Sequence, residues 1–213
     1  MPPPVGPGSG VVLRRCRPWS EALESFLLST GVVALAEIGD KTQLLALVLA
    51  ARYRKPLPIV LGILVATLAN HAAAGALGQW IAAALGPAWL RWILGLSFLA
   101  MAAWILVPDR IDADAAPAGH GGVFLTTLVA FFLAEIGDKT QIATIALAAQ
   151  SASLLAVVLG TTLGMLIANV PAVLFGERIA RALPPQLMHR IAAALFAAIG
   201  VATLLGAGPS LGL

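Results

Sequence analysis

The chain has 213 residues, of which 60% are hydrophobic and 11% are charged, and its mean hydropathy is +0.94. Soluble domains carry about 25% charged residues, so this composition excludes an ordinary soluble fold and indicates a membrane protein. The formal net charge of +3 does not indicate a nucleic-acid partner, because the basic residues form no patch with interleaved aromatic side chains.

Residues 1–24 precede the first long apolar segment. They are rich in Pro and Gly and then basic, and they lack the apolar core and small-residue cleavage site of a signal peptide. We predict a disordered N-terminal tail here. The single cysteine, Cys16, cannot form an internal disulfide, and no cluster of Cys and His indicates a zinc site.

Six apolar segments follow in chain order, each near or above the ~20 residues that a helix needs to cross a bilayer. They are 25–50, 57–78, 89–107, 122–149, 153–176 and 188–206. A backbone in lipid must satisfy its own hydrogen bonds, so we predict an all-α membrane protein with six transmembrane helices. A polar acidic linker, 108–121, separates the segments 25–107 and 122–206, and residues 207–213 form a C-terminal tail.

The two halves are related by an internal duplication. A shift of 98 residues places the octamer 36–43 on 134–141 with every residue identical, and it also places Gly62 on Gly160 without a gap. Because each half holds three helices, an odd number, the second half must enter the membrane from the opposite side. We therefore predict two inverted three-helix repeats, an arrangement that recurs among transporters.

The distribution of basic residues predicts the topology. One side of the predicted bundle carries seven Lys and Arg residues, including Arg52, Arg54 and Lys55, and the other carries four. The more basic side is expected in the cytoplasm. Both termini are then predicted to lie outside.

Each repeat contains the motif Glu-Ile-Gly-Asp-Lys-Thr-Gln. The i, i+3 spacing predicts that Glu37 and Asp40, and likewise Glu135 and Asp138, share one face of a helix. Ionisable groups inside a membrane cost about 2.5–3.5 kcal/mol each, and they normally face a cavity or one another. Since inverted repeats bring the two motifs to one axis, we expect a single composite metal site with four carboxylate ligands.

The charges of the motifs suit a divalent cation. Four carboxylates and two lysines leave a formal charge of −2, and oxygen ligands suit Mg²⁺, Ca²⁺ and Mn²⁺. A buried carboxylate without a partner takes up a proton, so metal and protons should compete for the same oxygens. We expect no catalytic residue and no cofactor, because the metal is the transported substrate. The predicted supporting residues are Lys41, Thr42, Gln43, Lys139, Thr140 and Gln141, together with His71 and Asn169.

Two interpretations stay open at this point. His71 aligns with Asn169 under the same shift, and these residues either line the transport path or bridge helices through hydrogen bonds. Glu37 and Lys41, spaced i, i+4, could instead form a structural ion pair.

The doubled pattern Glu-x-Gly-Asp-Lys-Thr, within residues 25–206, resembles the Gdt family of cation/proton exchangers. That family includes Golgi calcium/manganese–proton exchangers and bacterial manganese exporters. The resemblance implies export of Mn²⁺, or else Ca²⁺, in exchange for protons. It places the family's acidic ligands at Glu37, Asp40, Glu135 and Asp138. It also implies a multi-pass protein of a bacterial cytoplasmic (inner) membrane.

Two other functions compete with this interpretation. Gly39-Asp40 and Gly137-Asp138 imitate the aspartates of an intramembrane aspartyl protease. The lysine after each aspartate and the identity of the two motifs argue against that chemistry. An amino-acid exporter is the second alternative, by superfamily analogy alone.

Overall fold

The computed structural model describes residues 17–107, 122–176 and 184–206, and within these ranges its regular structure is entirely helical. The helices are α1 (Arg17–Glu37), α2 (Lys41–Tyr53), α3 (Pro56–Ala84), α4 (Pro87–Trp104), α5 (Gly122–Glu135), α6 (Lys139–Gln150), α7 (Leu154–Phe175) and α8 (Pro185–Leu204). The predicted linker 108–121, the C-terminal tail 207–213 and residues 1–16 lie outside the described residues.

Helix α1 begins earlier than the sequence predicts. Residues 17–24, predicted to belong to a disordered tail, are helical. Pro18 lies in the first turn, where the missing N–H has no intrahelical acceptor and the fixed φ of proline suits a helix. The helical pattern can therefore start before the long apolar segment does.

The first and fourth predicted helices are each broken in two at the motif. Gly39 and Gly137 have φ of +86° and +74°, a left-handed conformation that glycine adopts without steric cost. At the first break the helix axis turns by 69° between α1 and α2. The prediction that each glutamate and its aspartate share one face of a continuous helix is therefore wrong. A short turn separates them.

Helices α3, α7 and α8 are each long and apolar enough to cross a membrane, and the bent pair α1–α2 makes a fourth candidate span. Two further apolar segments are shorter, α5 and the part Trp89–Trp104 of α4. The chain thus has the helices of a multi-pass membrane protein. The full set of six transmembrane helices stays a prediction.

The helices of one half pack against those of the other. Helix α1 packs on α7, α3 packs on α5 and α6, and α4 packs on α8. Gly62 approaches the carbonyl of Phe124 on α5, and Gly160 approaches the carbonyl of Phe26 on α1. The 98-residue shift converts one of these contacts into the other. The small residue lets the backbones come close in both places.

Two clusters of buried apolar side chains hold this packing together. One joins α1, α4, α6, α7 and α8 and contains the stacked rings of Phe98 and Phe196, whose centroids are 6.1 Å apart. The other joins α2, α3, α5 and α7 around Leu49, Ile63 and Phe131. Because both clusters draw residues from both halves, they fix the two motifs relative to each other.

Candidate cation-binding site

The four carboxylates of the motifs lie at the helix breaks. Glu37 and Glu135 are the last residues of α1 and α5, while Asp40 and Asp138 precede α2 and α6 in the extended conformation of an N-cap residue. None of the four side chains is more than 4% exposed. The breaks therefore place acidic groups in the protein interior at the ends of half-helices, which is where broken membrane helices commonly bind ions.

Three of the carboxylates form one cluster. One oxygen from each of Glu37, Asp40 and Asp138 lies within 4.8 Å of the others. The hydroxyl of Thr42 donates a hydrogen bond to the Glu37 carboxylate. The cluster thus combines both motifs, and its hard oxygen atoms are ligands that a divalent cation such as Mn²⁺ or Ca²⁺ accepts.

The lysines connect the two motifs. Lys41 Nζ is 3.1 Å from Asp138 Oδ1, and Lys139 Nζ is 3.9 Å from Asp40 Oδ1. Lys139 also donates to the carbonyl of Val107 at 3.0 Å. Each lysine therefore pairs with the aspartate of the other motif, and Lys41 does not form the alternative ion pair with Glu37. The crossed pairs offset part of the negative charge of the cluster.

The glutamines stabilise the turns that break the helices. Gln43 Oε1 accepts from the backbone N–H of Gly39 at 2.9 Å, and Gln141 Oε1 accepts from that of Gly137 at 2.7 Å. Gln43 Nε2 also donates to the carbonyl of Ala168 on α7 at 2.8 Å. Both amide oxygens are thus occupied by the backbone of their own motif.

Glu135 stands outside the three-carboxylate cluster. Its Oε2 is 3.4 Å from His71 Nε2, and its Oε1 accepts from Thr67 Oγ1 at 3.5 Å. The alignment of the two halves identified His71 as a candidate site residue but did not identify Thr67. The available signal was three polar residues on one face of an otherwise apolar helix: Thr67 and, one helical turn later, Asn70 and His71.

Two predicted supporting residues, Asn169 and Thr140, form no hydrogen bond with the four carboxylates among the described residues. Asn169 Nδ2 donates to the carbonyl of Met165 at 3.0 Å and lies 2.8 Å from its sulfur, so the amide bonds within its own helix. The buried hydroxyl of Thr140 has no hydrogen-bond partner among the described residues, and neither has Asn169 Oδ1. The Thr140 hydroxyl and the Asn169 carbonyl oxygen are therefore buried polar atoms that could still form a hydrogen bond.

Comparison with known proteins identifies the family of this chain. The model of the family described as "Divalent cation/proton antiporter GDT1" matches residues 25–113 and 123–210, one segment in each half. The chain is 51% identical over 195 residues to the "Putative manganese exporter" of Vibrio cholerae serotype O1, covering 91% of this chain and 96% of that protein. It is 27% identical over 221 residues to "GDT1-like protein 5" of Arabidopsis thaliana, covering 86% and 96%. No solved structure matches. The chain therefore belongs to the GDT1 family of divalent cation/proton antiporters and is a transporter, not an enzyme.

Proposed function

We propose that this protein exports a divalent cation, Mn²⁺ in preference to Ca²⁺, in exchange for protons. The single observation that carries the proposal is the buried cluster of Glu37, Asp40 and Asp138, with oxygens within 4.8 Å of one another and drawn from both motifs. Glu135 completes the proposed ligand set. Lys41, Thr42, Gln43 and their counterparts in the second motif support it.

The electrostatics of the cluster support exchange between metal and protons. Like charges at this spacing repel strongly where water is scarce, so the carboxylates need compensating cations. The two lysines provide +2 against −4 for all four carboxylates, which leaves −2 for one divalent ion. When the ion leaves, protons are the available substitute. Metal and protons then compete for the same oxygens, which is the minimum requirement for antiport.

The contacts between the halves support two inverted three-helix repeats. In a two-fold arrangement, residue i of one copy contacts residue j of the other while j contacts i. The crossed pairs Lys41–Asp138 and Lys139–Asp40 follow this rule. Inverted repeats of this kind rock around a central site and expose it to each side in turn.

The preference for Mn²⁺ and the location rest on other observations. Oxygen ligands accept Mn²⁺ and Ca²⁺ alike, so the choice of Mn²⁺ follows the name of the Vibrio relative. The same relative favours a bacterial inner membrane. The excess of basic residues on one side of the bundle favours termini that lie outside.

Counterflux in proteoliposomes tests this function. Purified protein would be given Mn²⁺, Ca²⁺ or Mg²⁺ against an imposed pH gradient, with Asp138→Asn as the inactive control. We expect Mn²⁺ to move against the proton flux and to collapse the pH gradient. Metal flux without any proton movement would instead describe a uniporter. Competition by amino acids for the same flux would favour the amino-acid exporter.

A further inference from the structure

We infer that Glu135 is a movable ligand, and that Thr67 and His71 of α3 form a docking site that holds it away from the three-carboxylate cluster and thereby sets the metal affinity. This inference rests on the proposed function. Thr67 and His71 are called the docking pair below. They are positioning residues, because they act on the metal through Glu135.

The docking pair is built to hold a carboxylate. Thr67 and His71 lie one helical turn apart. Thr67 Oγ1 donates to Glu135 Oε1 at 3.5 Å, and His71 Nε2 lies 3.4 Å from Glu135 Oε2, an electrostatic contact without the geometry of a hydrogen bond. All three side chains are fully buried. Asn70, on the same face of α3, donates to the carbonyl of Phe132 on α5 at 3.0 Å, so α3 is fixed against the helix that carries Glu135.

The equivalent positions in the other half cannot dock Glu37. The 98-residue shift places Thr67 on Met165 and His71 on Asn169. A methionine has no donor, and the Asn169 amide donates to its own helix. Glu37 instead accepts from Thr42 of its own motif and stays in the cluster. Residues outside the identical motifs therefore decide where each glutamate lies.

The charge of the cluster indicates when Glu135 leaves the docking pair. Three clustered carboxylates and two lysines have a formal charge of −1, and the addition of Glu135 makes it −2, which matches a divalent cation. A bound metal thus favours the undocked state. The metal must first draw Glu135 away from α3. The apparent metal affinity therefore equals the intrinsic affinity multiplied by the fraction of protein in the undocked state.

Equilibrium binding of Mn²⁺ to purified protein, measured by calorimetry, tests the inference. His71→Asn installs the residue of α7, whose short amide donates within its own helix, and Thr67→Val removes a donor. Each should lower the Kd about threefold to tenfold, the worth of one polar contact to a buried carboxylate. The conservative variants His71→Gln and Thr67→Ser keep a donor that can still reach Glu135, because the Gln side chain is one methylene longer than Asn, and they should bind like the wild type. Thr161→Val is the matched control, because Thr161 is equally buried but donates only within α7.

A double-mutant cycle separates docking from a structural role. In Glu135→Gln protein, the further change His71→Asn should leave the Kd unshifted, because no carboxylate remains to be released. An unchanged or higher Kd in folded His71→Asn and Thr67→Val protein would overturn the inference, as would an equal shift in both backgrounds. If the wild type transports Mn²⁺ but these variants bind Mn²⁺ with the wild-type Kd, the docking pair is refuted and the proposed function stands. Absence of metal flux in the wild type refutes the proposed function and this inference together.

Discussion

The two motifs have the same seven residues but different surroundings. Ile38 in the first turn is 9% exposed, whereas Ile136 in the second is 55% exposed. Gly39 lies against the side chain of Pro185 at the start of α8, while a Cβ at Gly137 would meet no described atom within 4 Å. An identical sequence thus forms an identical turn, and the neighbouring helices decide whether that turn is covered.

The two lysines also differ in exposure, but here the residue of the first motif is the more exposed one. Lys41 of the covered motif is 29% exposed, and Lys139 of the open motif is 4% exposed. If the two halves are inverted repeats, as proposed, an exchange of these two environments would cover the second turn and open the first. Such an exchange is the movement by which inverted repeats present a site to either side of a membrane.

Substitution of the carboxylates should have the largest effect. Asp40→Asn and Asp138→Asn each remove a carboxylate of the cluster and the partner of a lysine. Loss of even an indirect contact to a metal costs 10–100-fold, so we expect transport to fall by at least about a hundredfold. Glu37→Gln and Glu135→Gln should also reduce it severely.

Mn²⁺ uptake by proteoliposomes measures this loss, with membrane insertion checked for each variant. Glu24→Gln is the matched control, since Glu24 is an exposed carboxylate on the helix that carries Glu37. Flux at the wild-type level in any two of the four site variants would contradict a single composite site. Unequal losses at Asp40 and Asp138 would show that the aspartates, too, have diverged between the motifs.

Acidic pH should weaken metal binding. If protons and Mn²⁺ compete for the cluster oxygens, as proposed, the metal affinity falls as pH falls, by up to about tenfold per pH unit for each proton released. Calorimetry in two buffers of different ionisation enthalpy counts these protons. We expect Glu37→Gln to reduce the dependence and Glu24→Gln to leave it intact. Equal heats in both buffers would show that no proton is released.

The two glycines should differ in their tolerance of alanine. Both have positive φ, which costs a non-glycine residue about 1–2 kcal/mol of folding free energy. Gly39→Ala also drives a methyl group into Pro185, whereas a methyl group at Gly137 meets no atom of the described residues within 4 Å. Thermal unfolding in detergent should therefore show a larger loss of stability for Gly39→Ala. Equal losses would mean that the difference in covering does not affect stability.

The threonines should show the smallest difference. Thr42→Val removes the hydrogen bond to Glu37, which is worth about 1 kcal/mol, so the Kd for Mn²⁺ should rise about fivefold. Thr140→Val removes a hydroxyl that makes no hydrogen bond within the described residues, and its effect should be smaller. Equal shifts in the two variants would indicate that Thr140 approaches a carboxylate when metal binds.

The membrane class, the duplication and the identity of the acidic residues follow from local sequence patterns. The helix breaks do not, because a glycine inside an apolar helical pattern is tolerated at a cost of about 1 kcal/mol. A signal for the break was present nonetheless. In each motif a glycine, which favours left-handed turns, is followed by an aspartate, which favours the N-cap of a new helix.

The separate position of Glu135 could not be predicted from its motif. It depends on Thr67 and His71, which are 68 and 64 positions away in the chain, and on how closely α3 packs against α5. Alignment of the halves singled out His71 without identifying its partner. The crossed ion pairs were likewise hidden, because the i, i+4 spacing of Glu37 and Lys41 suggests a local pair and not an exchange between motifs.

The exchange of lysines between the motifs affects how this protein can change over evolutionary time. Lys41 compensates Asp138, and Lys139 compensates Asp40, so neither half holds a charge-balanced site of its own. A loss in one motif cannot be corrected inside that motif. Compensating substitutions should therefore arise in pairs that span the duplication, linking positions 41 with 138 and 40 with 139. The two halves arose by duplication, but substitutions at these charged positions of one half should now depend on the other half.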